Sequence, residues 1–257
     1  MGLIEMSDAE YRKAPGYNYS SVKHALKSAA HYRAAMDNPR PATAAMLMGA
    51  CLDSIALHGS PCWAESEDGI TFNTNAGKAL ERCRAGEITL KPEASELVHG
   101  MRLALHSHPD AKAVLAVCKQ RKLAAFGEID GVPCKGQLDG YGLDGGAIPL
   151  IFDLKKVQDA ADFARDVAKF SYHIQAGLYS ELVRQATGLD PMFVWLAVEE
   201  QPPHGVIVWQ AKNEALAVGL EKFKLCLHRI RLAEALGEWE SYPAGIRELN
   251  LPLWAMQ

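Results

Sequence analysis

A few acids, one lysine and a glutamine–tyrosine pair have the types and spacing to form a chemical site in this chain. The segment Ile148–Lys156 reads IPLIFDLKK, an apolar run that ends in charge. The run suits a buried strand, because Ile, Leu and Phe pack well on a pleated surface. Side chains alternate along a strand, so Asp153 and Lys155 share one face while Lys156 points to the other. The preceding turn, GLDGGAIP, fits a hairpin loop of Gly145, Gly146 and Ala147, with Asp144 opposite Ile148. The same register carried further sets Asp139 opposite Asp153, with Cβ atoms roughly 4.5–5.5 Å apart. Carboxylates so close repel unless a cation lies between them, and hard cations such as Mg²⁺ select carboxylate oxygen. Beside such a cation and a phosphate, Lys155 would offset developing negative charge. Glu128, on the strand before, is a candidate third acid, and Asp130 is the alternative because it shares Glu128's face.

Helices contribute the remaining candidates. In YHIQAGLY, Tyr172, Gln175 and Tyr179 recur at i, i+3 and i+7 and form one stripe. Asp53 stands in the otherwise apolar segment MGACLDSIALH. A carboxylate there either finds a cation or bears a desolvation cost. His58 reads as a helix-end residue, and HSHPD (His106, His108, Asp110) as a helix-ending loop rather than a metal site.

These groups need a sheet to hold them. Residues 123–131, 132–143 and 147–156 are short runs separated by Gly-rich turns, which predicts an antiparallel meander. A long amphipathic helix is expected over about 160–187, burying Phe163, Val167, Phe170, Ile174, Leu178 and Leu182. Two strands, MFVWLAVEE and GVIVWQA, flank the turn QPPH, and a last helix spans about 212–236. Residues 1–120 read as mainly helical. One helix follows Ser20 or Ser21 as N-cap, an apolar one covers ATAAMLMGACLDSIALHG, and shorter ones lie between Thr74 and Leu115. The expectation is one α/β unit over 1–257: a helical part (1–120), a mixed central sheet flanked by helices (121–240) and a tail (241–257).

Composition narrows the classes. With 49% hydrophobic and 23% charged residues, the chain has ordinary globular composition. No apolar stretch approaches the ~20 residues of a membrane helix. The start fits neither a secretory signal nor a myristoylation pattern, so a cytoplasmic location is expected. Cysteines at 51, 62, 83, 118, 134 and 226 form no CxxC pair, which argues against zinc-ribbon and iron–sulfur sites. A net charge of −4 excludes a globally basic coat but not a local basic groove. Candidate phosphate contacts are Lys119, Arg121 and Lys122 in KQRK, and Lys224 and Arg231 on the last helix.

An acid on one strand, Asp-x-Lys on the next and Gln-x-x-x-Tyr on a following helix resemble the PD-(D/E)XK nuclease superfamily. More narrowly, SSVKHALKSAAHYRA, MGACLDSIALH, TNAGKALE, KGQLDGY, IFDLKK and YHIQAGLY resemble, in that order, the RecE-type exonuclease VIII family of phages and prophages. The resemblance implies Mg²⁺, with Mn²⁺ also accepted, held by Asp139, Asp153 and the Leu154 carbonyl. It makes Lys155 the catalytic lysine, Gln175 and Tyr179 the Gln-x-x-x-Tyr motif, and Glu128 an auxiliary acid. Asp53 is a further candidate metal ligand, at a position where related nucleases often carry His. Two further departures stand at Gln137, where a basic residue is common, and at Lys156, where Thr is common. The implied reaction is hydrolysis of linear double-stranded DNA from 5′ ends, leaving 3′ single strands for a RecT-type annealing protein. The family's usual assembly is a homo-oligomeric ring. The alternatives are another DNA endonuclease or end-processing nuclease of the superfamily, or a non-catalytic DNA-binding assembly protein.

Overall fold

The computed structural model describes residues 2–75, 78, 87–145 and 147–251. Its main sheet has six strands: β1 (Gly2–Ile4), β4 (Gln120–Ile129), β5 (Val132–Asp144), β6 (Ile148–Val157), β7 (Met192–Glu199) and β8 (Val206–Gln210), in that spatial order. All neighbours are antiparallel except β6 and β7, so the sheet is mixed. The expected meander is β4–β5–β6, and Asp144 pairs with Ile148. Three strands were not foreseen. Strand β1 is too short for its alternation to be read, and β2 (Trp63–Ile70) pairs in parallel with β3 (Ile88–Leu90) inside the part expected to be helical.

Helices cover both faces. On one lie α4 (Ala44–Leu57), α5 (Pro92–Ser107) and α6 (Pro109–Val117), packed on Leu150, Phe152, Leu154, Val194 and Leu196. The expectation for HSHPD holds at His108, whose ring caps α6 by accepting the Ala111 N–H. On the other face lie α2 (Tyr19–Val22), α8 (Tyr172–Thr187) and α9 (Asn213–Leu236), packed on Leu123, Tyr141, Ile151, Phe193 and Trp195. The alternation in β6 therefore divides its apolar residues between two cores. Ile151 and Phe152 are fully buried. Burial of a large apolar side chain stabilises by about 1.5–3 kcal/mol, so this base holds the strand firmly where its charged end begins.

Helix boundaries required correction in two places. The helix expected after Ser20 or Ser21 is instead a short α2 capped by Asn18, a 3₁₀ turn (Lys23–Leu26) and α3 (Ala29–Asp37) capped by Ser28. The helix expected over 160–187 is two, α7 (Phe163–Lys169) and α8, broken at Ser171, whose φ of 62° is left-handed. Phe163, Ile174, Leu178 and Leu182 are buried as expected. Phe170, at the break, is 45% exposed. Apolar spacing continues across a break of this kind, which hides it from a periodicity argument. The short helix expected before Gly86 lies, Lys78 apart, outside the described residues.

Helices α8 and α9 cross at Gly177 and Gly219. A Cβ on Gly219 would lie 1.8 Å from the His173 carbonyl oxygen, and one on Gly177 would lie 2.5 Å from that of Leu216. Only glycine lets these backbones approach so closely, and the crossing fixes the height of Gln175 and Tyr179 above the sheet.

Candidate functional site

The site lies where two paired strands part. The β5–β6 ladder runs from Asp144↔Ile148 to Gly140↔Phe152, and Asp139 and Asp153 occupy the next step, at which the ladder ends. Beyond it β6 stays paired to β7 and β5 to β4, so the strands fork. The N–H of Leu154, freed from the ladder, donates to Asp139 Oδ2 at 2.9 Å. A cleft of about 1100 Å³ opens at the fork, and Asp53, Asp139, Asp153, Lys155, Gln175 and Tyr179 all line it.

Each acid is held by a named partner. Gln175 Nε2 donates to Asp153 Oδ1 at 2.8 Å, and the Lys155 ammonium pairs with Asp153 Oδ2. Lys155 lies 4.7 Å from the centre of the Tyr172 ring, a cation–π contact that limits where its ammonium can go. Tyr19 donates to the Phe170 carbonyl at 2.6 Å, tying α2 to the α7–α8 break at the cleft wall. Tyr179 sits directly over Gly136, where a Cβ would come within 2.6 Å of its ring. Lys156 points to the opposite face, as alternation requires, where it pairs with Glu200 and lies 4.6 Å from the Phe72 ring centre.

Lys122 is the residue that sequence reasoning misplaced. Its ammonium donates to Asp53 Oδ2 at 2.8 Å and to Asp139 Oδ1 at 2.6 Å. The cation demanded by Asp53 in its apolar helix is therefore this lysine. The basic run KQRK does not form one surface: Lys119 is exposed, whereas Arg121 donates to the Leu115 carbonyl and lies over Phe152. On α9, Lys224 pairs with Glu221 and Arg231 with Glu234. The basic side chains that do line the cleft include Arg165 and Lys169 of α7, which no spacing argument singled out.

Glu128 is not brought to the site. It pairs with Pro133 near the far end of β4, and its backbone is clasped by Gln185. Six residues along a strand separate it from Lys122, roughly 20 Å. Asp130 lies beyond it in the turn. The acid brought beside Asp139 is instead Asp53, which shares Lys122 with it. Gln137, where the resembling family commonly has a basic residue, donates to Asp8 Oδ1 at 2.8 Å. Beside it the Lys135 ammonium donates to the carbonyls of Tyr11 and Ala14, which pins α1 (Asp8–Lys13) against β5.

Burial and charge pull these groups in opposite directions. Burial, then the negative charge of Asp139, pushes the Asp53 carboxyl up to about 7 against the pull of Lys122. Burial likewise raises Asp153 to about 6, Lys155 pulling it down and Asp139 adding to the rise. For Asp139 burial acts upward too, but Lys122, Lys155 and the Leu154 N–H together hold it below the usual carboxylate range. Both ammoniums stay charged: burial would lower Lys122 and Lys155, and the acids around them more than compensate. The donors at the fork are carboxylate oxygens, which suit a hard cation. Among the described residues, no group of three or more His, Cys, Asp or Glu side chains is gathered so as to hold a metal unaided. Among them too, no helix is long and apolar enough to cross a membrane.

This sheet, with two acids and a lysine at its fork and a glutamine reaching in from a helix, has PD-(D/E)XK architecture. Residues 18–246 match the family described as "PDDEXK-like domain of unknown function (DUF3799)", and the chain belongs to that family. A crystal structure of a presumed exonuclease from Eubacterium rectale superposes with a TM-score of 0.67 at 18% identity, covering 98% of this chain and 97% of the other. At that identity the likeness is one of fold. A second solved structure, SSO0001, overlaps 56% of this chain and 63% of its own at 13% identity, with a TM-score of 0.32. No curated protein is a significant match.

Proposed function

We propose that this protein is a Mg²⁺-dependent deoxyribonuclease, with Mn²⁺ also accepted. On this reading it degrades linear double-stranded DNA from 5′ ends and leaves 3′ single strands for a strand-annealing partner of the RecT type. The observation that carries the nuclease reading is the fork, which sets Asp139 and Asp153 one step beyond the end of a ladder, with Lys155 on the same strand as Asp153. Preference for duplex ends, 5′ polarity, the annealing partner and a ring-shaped homo-oligomer rest on the resemblance of the sequence motifs to RecE-type enzymes.

Asp139, Asp153 and the Leu154 carbonyl would hold the cation. Each carboxylate offers about four lone-pair sites, so both acids keep acceptor capacity beyond their present bonds. A bound divalent cation supplies water activation and neutralisation of phosphate charge. The chain does the rest. Gln175 fixes the plane of the Asp153 carboxylate, and the Leu154 N–H fixes that of Asp139. Lys155, confined by Asp153 and the Tyr172 ring, presents its ammonium to a phosphate oxygen and offsets the charge that grows there. Arg165 and Lys169 stand at the cleft to attract the strand's phosphates.

The test is digestion of end-labelled linear duplex and of covalently closed circles with Mg²⁺, comparing the natural protein with Lys155→Ala and Asp153→Ala. Loss of linear duplex from its 5′-labelled end, with circles intact and both variants inactive, is expected. Cutting of closed circles would favour an endonuclease instead. Variants as active as the natural protein would overturn the site.

A further inference from the structure

The gap between Asp53 and Asp139 is already filled from within the chain. Lys122 lies at the step of the β4–β5 register between Arg121↔Gly140 and Leu123↔Leu138, opposite Asp139. Its φ is +50°, a left-handed conformation that a long side chain rarely adopts within a strand. The surroundings must compensate for that strain, and what they gain is an ammonium set between an acid from the sheet and an acid from α4. Lys155 differs, because among the described residues its ion pair is with Asp153, and it rests on an aromatic ring.

We propose that Lys122 is a resident cation that limits this site to a single divalent ion, held on the Asp139–Asp153 side, and that Asp53 is a partner of Lys122 and not a metal ligand. The inference rests on the metal-nuclease reading above and deepens it. A divalent ion joining Asp53 to Asp139 would need oxygens at about 2.0–2.1 Å. The Lys122 nitrogen lies within hydrogen-bond reach of both of those carboxylates, so ion and ammonium cannot share the gap. The arrangement also accounts for an acid at position 53. A carboxylate with its own lysine adds no net negative charge, whereas a bare carboxylate beside Asp139 and Asp153 would draw in a second cation.

Mn²⁺ titration of the full chain, followed by electron paramagnetic resonance of the free ion and by calorimetry, tests the inference without measuring activity. The natural protein is expected to bind one Mn²⁺. Lys122→Met is expected to bind a second Mn²⁺, or to bind the first at least about tenfold tighter, because a nearby positive charge has gone. Asp53→Asn removes a charge but no ligand, so it is expected to keep a single Mn²⁺ and to weaken its binding by less than about tenfold. Circular dichroism establishes that each variant is folded, and Asp53→Asn keeps the test decisive should Lys122→Met not fold. Two Mn²⁺ ions in the natural protein, a tenfold or greater loss in Asp53→Asn, or an unchanged folded Lys122→Met would each overturn the inference. Absence of any Mn²⁺ binding by the natural protein would overturn the metal-nuclease reading itself, and this inference with it.

Discussion

Asp53→Asn should change how stability depends on pH, and by a predictable amount. The carboxyl of Asp53 lies at about 7 in the folded protein against an ordinary value of 3.8. Between those values the folded state holds a proton that the unfolded chain has released, so stability falls as pH rises through the window and levels off above it. At about 1.4 kcal/mol per pH unit, the full span corresponds to about 4 kcal/mol. The Asp53 side chain is 27% exposed, however, so solvent screens part of the charge. Roughly half that figure, about 2 kcal/mol, is the sounder expectation. Asparagine keeps the shape and removes the titration. Urea unfolding of both proteins at intervals from pH 4 to 8, in the presence of a chelator, reads the effect. The difference in unfolding free energy should shift in favour of Asp53→Asn as pH rises and then stay constant. Parallel curves would refute the reasoning. So would a natural protein that gains on the variant as pH rises, which would mean that the pull of Lys122 outweighs burial.

Two further outcomes follow from the geometry. Gly219→Val places a branched side chain against the His173 carbonyl, where a Cβ would lie at 1.8 Å, and should destabilise the protein by about 3 kcal/mol, measured by thermal unfolding. Gln175→Leu removes the hydrogen bond that orients Asp153, and should lower Mg²⁺-dependent cleavage by about 10–100-fold, with KM for the duplex nearly unchanged.

Much of the site is legible from local pattern. Alternation along IPLIFDLKK places Asp153 and Lys155 together and sends Lys156 away, and the length of the GLDGGAIP loop sets the register that puts Asp139 one step beyond Gly140↔Phe152. Spacing on a helix likewise brings Gln175 and Tyr179 to one side of α8. These are short-range facts, decided by a strand's period of two, a helix's period of 3.6 and the geometry of a turn.

What lies beyond such periods required the folded chain. Lys122 and Asp53 are 69 residues apart and belong to a strand and a helix whose meeting no local pattern dictates. In sequence, Lys122 is one basic residue in a basic run, and its left-handed backbone, which aims the ammonium at two acids, leaves no signature in residue type. Glu128 errs in the opposite sense: it lies on the right strand, but too far along it to reach the fork. Which side chains share a strand or helix face follows from residue order, because the backbone repeat imposes it. Which faces meet follows from the folded chain, because two apolar cores pack against opposite sides of one sheet. The same packing brings Asp53 beside the fork and makes Lys122 its cation.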